Sequence, residues 1–129
     1  MADQSVARRI ALSLPGTSDE EGRFTFSVLN KGKHRGFVWV WLECVEPKQP
    51  RVPRPEVLAI RVHDASEKEM LLASDREKFF TEPHYNRVPA VLVRLAANDP
   101  EELEELTTEA WCSQAPRTLV KVYEQRRSG

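Results

Sequence analysis

Apolar residues recur at three- and four-residue spacing from Asp3 to Leu14, at Val6, Ala7, Ile10, Ala11 and Leu14, which predicts an amphipathic helix closed by Pro15-Gly16. The period then changes to two: Phe24, Phe26 and Val28 alternate with polar neighbours between Arg23 and Leu29, as in a strand with one buried face. Asn30 to Gly36 supplies turn residues. Phe37 to Cys44 is apolar on both faces and reads as a strand that completes a β-hairpin with a basic tip, with Trp39 and Trp41 on the same face as Phe37. Glu46 to Pro55 holds four prolines and is expected to be an extended loop, because proline cannot donate to a ladder. Val57 to Val62 resumes as a strand. Ser66 with Glu69 three residues on predicts a capping box for a short helix reaching about Asp75. Phe79 to Glu82 is a candidate brief strand, and Ala90 to Leu95 is a further strand. Asp99-Pro100 with Glu101 and Glu102 predicts a capped helix carrying Leu103, Leu106, Ala110 and Trp111 on one face. Pro116 ends it, and Arg117 to Gln125 forms a last helix with Leu119, Val122 and Tyr123 inward.

The order is helix, three strands, helix, one or two strands and carboxy-terminal helix, or α-β(3)-α-β(1-2)-α. Hairpin-length connections favour an antiparallel sheet of four to five strands with helices packed on one face, a two-layer α+β fold. The 129 residues fit a single domain, 1–129, large enough for a core without disulfides or metal.

Composition narrows the classes. With 40% hydrophobic and 30% charged residues the chain is a globular protein, and its longest apolar run, Phe37 to Leu42, is too short to span a membrane. The amino terminus has neither a basic start nor an apolar core, so a cytoplasmic location is expected. Cys44 and Cys112 lie outside any metal-ligand spacing and read as reduced thiols. No metal or other cofactor is expected.

The net charge of -1 conceals segregation. Lys31, Lys33, Arg35, Lys48, Arg51 and Arg54 face only Glu43 and Glu46 within residues 31–54, whereas residues 99–109 hold six acids and no base. The run from Arg117 adds Lys121, Arg126 and Arg127 against Glu124. A basic hairpin tip and a basic loop at the same sheet end would track phosphates, which suggests weak, largely sequence-independent DNA binding, with the acidic helix turned away. Solubilising loop charge is the plain alternative. A second functional reading uses the aromatic strand face as a homodimeric or heteromeric interaction surface, without catalysis.

The stretch Phe79 to Leu95, "FFTEPHYNRVPAVLVRL", is bracketed by Pro83 and Pro89, which hold Glu82 and Val88 extended and make a stiff reversal. His84 and Tyr85 are candidates for ligand contact, against a packed structural role. His34 is expected in solvent and His63 at a turn. No nucleophile elbow and no phosphate-cradling glycine loop occurs in the chain.

With its short acid-rich helix, "TEPHY", "PAVLVRL", "DPEELEELTTEAW" and an "AP" before the terminal helix, the chain resembles the MmcQ/YjbR family of small α+β proteins. The likeness covers Pro15-Gly16 and roughly Asp75 to Leu119. It implies a fold similar to a double-wing DNA-binding motif, with relatives that resemble the frataxin-like fold, and hence DNA as a partner. Arg87 stands where the family typically has glycine, and the hairpin and proline-rich loop are longer and more basic than usual. Frataxin-like folds use acidic helix ridges for iron, whereas Glu101, Glu102, Glu104, Glu105 and Glu109 read as a solvated helix face.

Overall fold

The computed structural model describes residues 3–19, 24–43, 52–82, 85 and 88–128. The first helix, α1 (Gln4–Ser13), starts where the Asp3 carboxylate accepts the Val6 N–H at 3.0 Å, and ends where the Leu14 N–H reaches back to the Ala11 carbonyl. Gly16 follows in the left-handed region at φ 71°, a conformation that glycine enters without steric cost. A short strand, β1 (Thr17–Asp19), pairs with β2 (Thr25–Asn30), which pairs with β3 (Lys33–Glu43), and β3 with β4 (Val52–Arg61). After α2 (Ala65–Ser74) come β5 (Phe79–Phe80) and β6 (Ala90–Arg94), a single 3-10 turn at Leu95–Ala97, α3 (Pro100–Gln114) and α4 (Arg117–Ser128). The sheet order is β1-β2-β3-β4-β6-β5, antiparallel throughout.

This is the expected α+β class, with six strands rather than four or five. The additional strand is β1, whose polar Thr-Ser-Asp carries no alternating apolar signal and is held by pairing to residues 26–28 of β2. The proline-rich segment also departs from expectation. Its end belongs to β4, with Pro53 opposite Leu42 and Arg54 opposite Trp41. On its other side β4 pairs with β6 only from Val57 onward, so residues 52–55 form an edge, where a missing donor is tolerated. The ladder slips there, from Val40 opposite Leu58 to Trp41 opposite Arg54.

The helix side of the sheet carries the main core. Phe26, Val28, Val38, Leu58, Ile60, Val91 and Val93 from the strands meet Ala7, Ile10 and Ala11 of α1 and Leu103, Ala110 and Trp111 of α3. Trp111 is fully buried, and its indole N–H is satisfied by the Pro15 carbonyl at 3.0 Å. Leu119, Val120 and Tyr123 of α4 pack against the same core. Burying each large side chain contributes roughly 1.5–3 kcal/mol, so this layer dominates stability.

Two helix starts differ from the sequence expectation. The cap of α2 is Asp64, whose carboxylate accepts the Glu67 N–H at 2.9 Å, two residues before the Ser66 expected to cap it. Asp99 occupies the cap position of α3, but its side chain makes no capping hydrogen bond; Pro100 at the first helical position and the acids Glu101 and Glu102 remain as start signals.

Candidate functional site

The expected basic tip forms, with a tighter turn than the sequence suggested. Asn30 pairs with Lys33, leaving Lys31-Gly32 as a two-residue connection with φ of 54° and 78°, the left-handed pair of a type I′ hairpin. Lys33 to Gly36, read from sequence as turn, therefore continue β3. A lysine at a left-handed position costs about 1 kcal/mol relative to glycine. Lys31, Lys33, His34 and Arg35 are all exposed.

Asn30 fixes the hairpin to the helical layer: its side-chain amide donates to the Gln114 carbonyl at 2.8 Å, at the last residue of α3. Arg117 opens α4 three residues later, within about 11 Å of chain. Lys121 follows one helical turn on, and both bases are exposed. The hairpin and the start of α4 thus share one end of the molecule. Neither Asn30 nor this proximity was singled out in the sequence, because the bond joins residues 84 positions apart.

The other predicted bases lie elsewhere. Lys48 and Arg51 fall outside the described residues, and Arg54 is a strand residue of β4 rather than a loop residue. Their segment leaves β3 beyond Glu43, paired with Val52, while the hairpin turn precedes Lys33. About 33 Å of strand separates these points at the ordinary rise, so the two basic segments attach at opposite ends of β3, not the same one.

The second sheet face holds Trp39, Trp41, Val57, Ala59, Phe80 and Leu92. Phe37, expected beside the tryptophans, is buried in the helix-side core instead. The register shifts between Phe26 and Ser27: Val38 faces Phe26, Gly36 faces Ser27, and Phe37 is the extra residue of a β-bulge. The tryptophan face is not open. Tyr85 lies buried over it, its hydroxyl accepting the Trp39 indole N–H at 3.3 Å, and Trp41 meets Phe80 edge-on at 5.3 Å. Arg94 stacks 4.1 Å from the Phe80 ring centroid. His84 falls outside the described residues, whereas Tyr85 is placed as a packing residue.

Lys68 of α2 holds this cover in place and had no counterpart in the sequence reading. Its buried ammonium donates to the carbonyls of Tyr85 and, at 2.9 Å, Val88. Burial pushes its pKa below the ordinary 10.5. Cys112 is half-buried, and burial, with Glu109 and Glu124 nearby, raises its pKa, which disfavours the reactive thiolate.

Two curated relatives from Mycobacterium tuberculosis and Mycobacterium bovis, both uncharacterised proteins, are each 45% identical over 71 residues, or 55% of this chain and 55% of the relative. The chain spans about half the length of the curated relatives it matches. No family model matches the chain, and no solved structure does.

Four of the acidic side chains of α3, Glu101, Glu102, Glu104 and Glu105, sit toward its other end, and Glu109 lies between. Glu102 pairs with Lys78 at 2.5 Å and Glu109 with His63 at 3.1 Å. Among the described residues no three carboxylate, histidine or cysteine side chains gather as a metal site. Among them also, no helix is long and apolar enough to cross a membrane.

Proposed function

We propose that the protein is a cytoplasmic nucleic-acid-binding module of weak, largely sequence-independent affinity, using Lys31, Lys33 and Arg35 of the hairpin with Arg117 and Lys121 of α4. The Asn30–Gln114 hydrogen bond carries this reading, because it gathers two basic segments distant in sequence at one end of the molecule. Glu101 to Glu105 lie roughly 13–20 Å up the α3 axis from Gln114, farther than the Debye length of about 8 Å at physiological ionic strength, so they oppose phosphate at the hairpin only weakly; Glu109, nearer at about 7.5 Å, is engaged by His63. The resemblance to the MmcQ/YjbR family supports the same reading. Flexible lysine and arginine side chains on a turn and a helix start suit phosphate contacts, which position a protein without reading bases.

Fluorescence anisotropy with a labelled duplex at rising salt tests the proposal. Engagement of all five bases gives a log-log slope of about -4.5, and the hairpin alone about -2.7. Absence of salt-dependent binding at about 50 mM salt would remove nucleic acid as the partner.

A further inference from the structure

At the end of α3 away from the hairpin, α2 and α3 enclose an open groove of about 590 Å³. Phe79, Leu71 and Leu106 line its apolar part together with Met70, which is 65% exposed. The apolar seating of α2 is thin: Leu71 and Leu72 are only partly buried against the main core, and Lys68, its one fully buried residue among those described, ties it to the Tyr85 and Val88 carbonyls. Leu71 therefore spans core and groove, while Met70 stands out into the groove. Methionine in such a place adapts to varied apolar partners.

The rim is acidic, and among the described residues no lysine or arginine lines the groove. Glu102 and Glu109 are engaged by Lys78 and His63. Glu67 from α2 and Glu105 from α3 have no ion-pair partner among the described residues, and they belong to opposite walls.

We propose that this groove docks an amphipathic helix of another protein, with its apolar face on Met70, Leu71 and Leu106 and flanking lysines or arginines on Glu67 and Glu105. A cleft between two helices with an apolar floor suits the helix-in-groove mode of recognition, and the carboxylates select the sign of the flanking charge. The same carboxylates repel nucleic acid, so this surface is distinct from the hairpin end. The rival occupant is α4 of a second copy, where Val122 is exposed beside the bases Lys121 and Arg126.

The test is anisotropy with a labelled designed helix bearing leucines at three- and four-residue spacing and Lys or Arg elsewhere, alongside a twin with Glu or Asp in place of the bases. The basic helix is expected to bind saturably and its twin not to bind. Met70→Asp, and separately the double variant Glu67→Gln with Glu105→Gln, should each weaken binding at least about tenfold while circular dichroism stays unchanged. Equal binding of the acidic twin, unaltered affinity in both variants, or no saturation up to about 1 mM peptide would overturn the proposal. So would sedimentation showing that the chain self-associates and that Met70→Asp abolishes it, since the occupant would then be a second copy.

Discussion

At the carboxyl end of α3 the surface is basic and built on a backbone turn, with Lys31, Lys33 and Arg35 presented by a two-residue hairpin beside the start of α4. Toward the amino end of the same helix the surface is acidic and built on a gap between helices, with Glu67 and Glu105 above Met70 and Leu106. A net charge of -1 averages these two fields and describes neither. Along α3, Glu105 stands about 13 Å from Gln114, more than a Debye length, so the field at each end is set mainly by its own charges. The contrast extends to what holds each end: the side-chain bond from Asn30 to Gln114 at the basic end, and the Lys68 bonds with the partial packing of Leu71 and Leu72 at the acidic end.

The largest expected effect comes from inverting the basic end. Replacing Lys31, Lys33 and Arg35 together by Glu should lower duplex affinity by at least about 100-fold at low salt, whereas Glu67→Lys with Glu105→Lys at the acidic end should not weaken it. Equal losses from the two variants in anisotropy titrations would erase the distinction between the ends.

Lys68→Met should cost about 1–2 kcal/mol in denaturant unfolding. The methylenes stay packed, and the Tyr85 and Val88 carbonyls keep their backbone donors from Val88 and Ala90 while losing the ammonium. A pH signature accompanies this variant. With its folded pKa lowered by burial, Lys68 releases its proton in the native state before the unfolded chain does. Stability from this group therefore rises with pH between the lowered folded value and 10.5. Lys78 acts in the opposite sense: its hydrogen bond to Glu102 raises its pKa, so its contribution is present below 10.5 and is lost as pH climbs through the folded value. Lys68→Met should remove the rising component and leave the falling one, which unfolding curves at alkaline pH will show.

Smaller effects separate the helix starts. Asp64→Ala removes a capping bond and should cost about 1 kcal/mol, while Asp99→Ala, with no such bond to lose, should cost less than about 0.5 kcal/mol. Similar denaturant midpoints for the two variants would contradict the difference between the caps. Tyr85→Phe removes the 3.3 Å bond from Trp39 and should cost about 0.5–1 kcal/mol by thermal unfolding.

Where local periodicity decides structure, the sequence was readable. The α1 stripe ending at Pro15-Gly16 and the α3 stripe through Leu103, Ala110 and Trp111 took the predicted positions. Partners distant in sequence were not visible. β1 is a strand because β2 lies beside it, and Phe37 turns to the helix side because a bulge resets the alternation. Pro53 enters β4 because that stretch is an edge. The candidate surfaces follow the same rule. The bases of the hairpin were legible as composition, but their nearness to the start of α4 was not, because it depends on Asn30 meeting Gln114 across 84 positions. The groove brings α2 and α3 together across residues that share no motif.

In the proposed binding mode, nucleic acid meets the hairpin and the start of α4. Titrating the nitrogen-15-labelled protein with a short duplex and following its amide resonances tests this most directly. Fast-exchange shifts are expected at residues 29–36 and 115–121, lost at high salt, with residues 64–71 and 101–109 unmoved. Shifts centred on Trp39, Trp41 and Tyr85, or on the acidic groove, would contradict it.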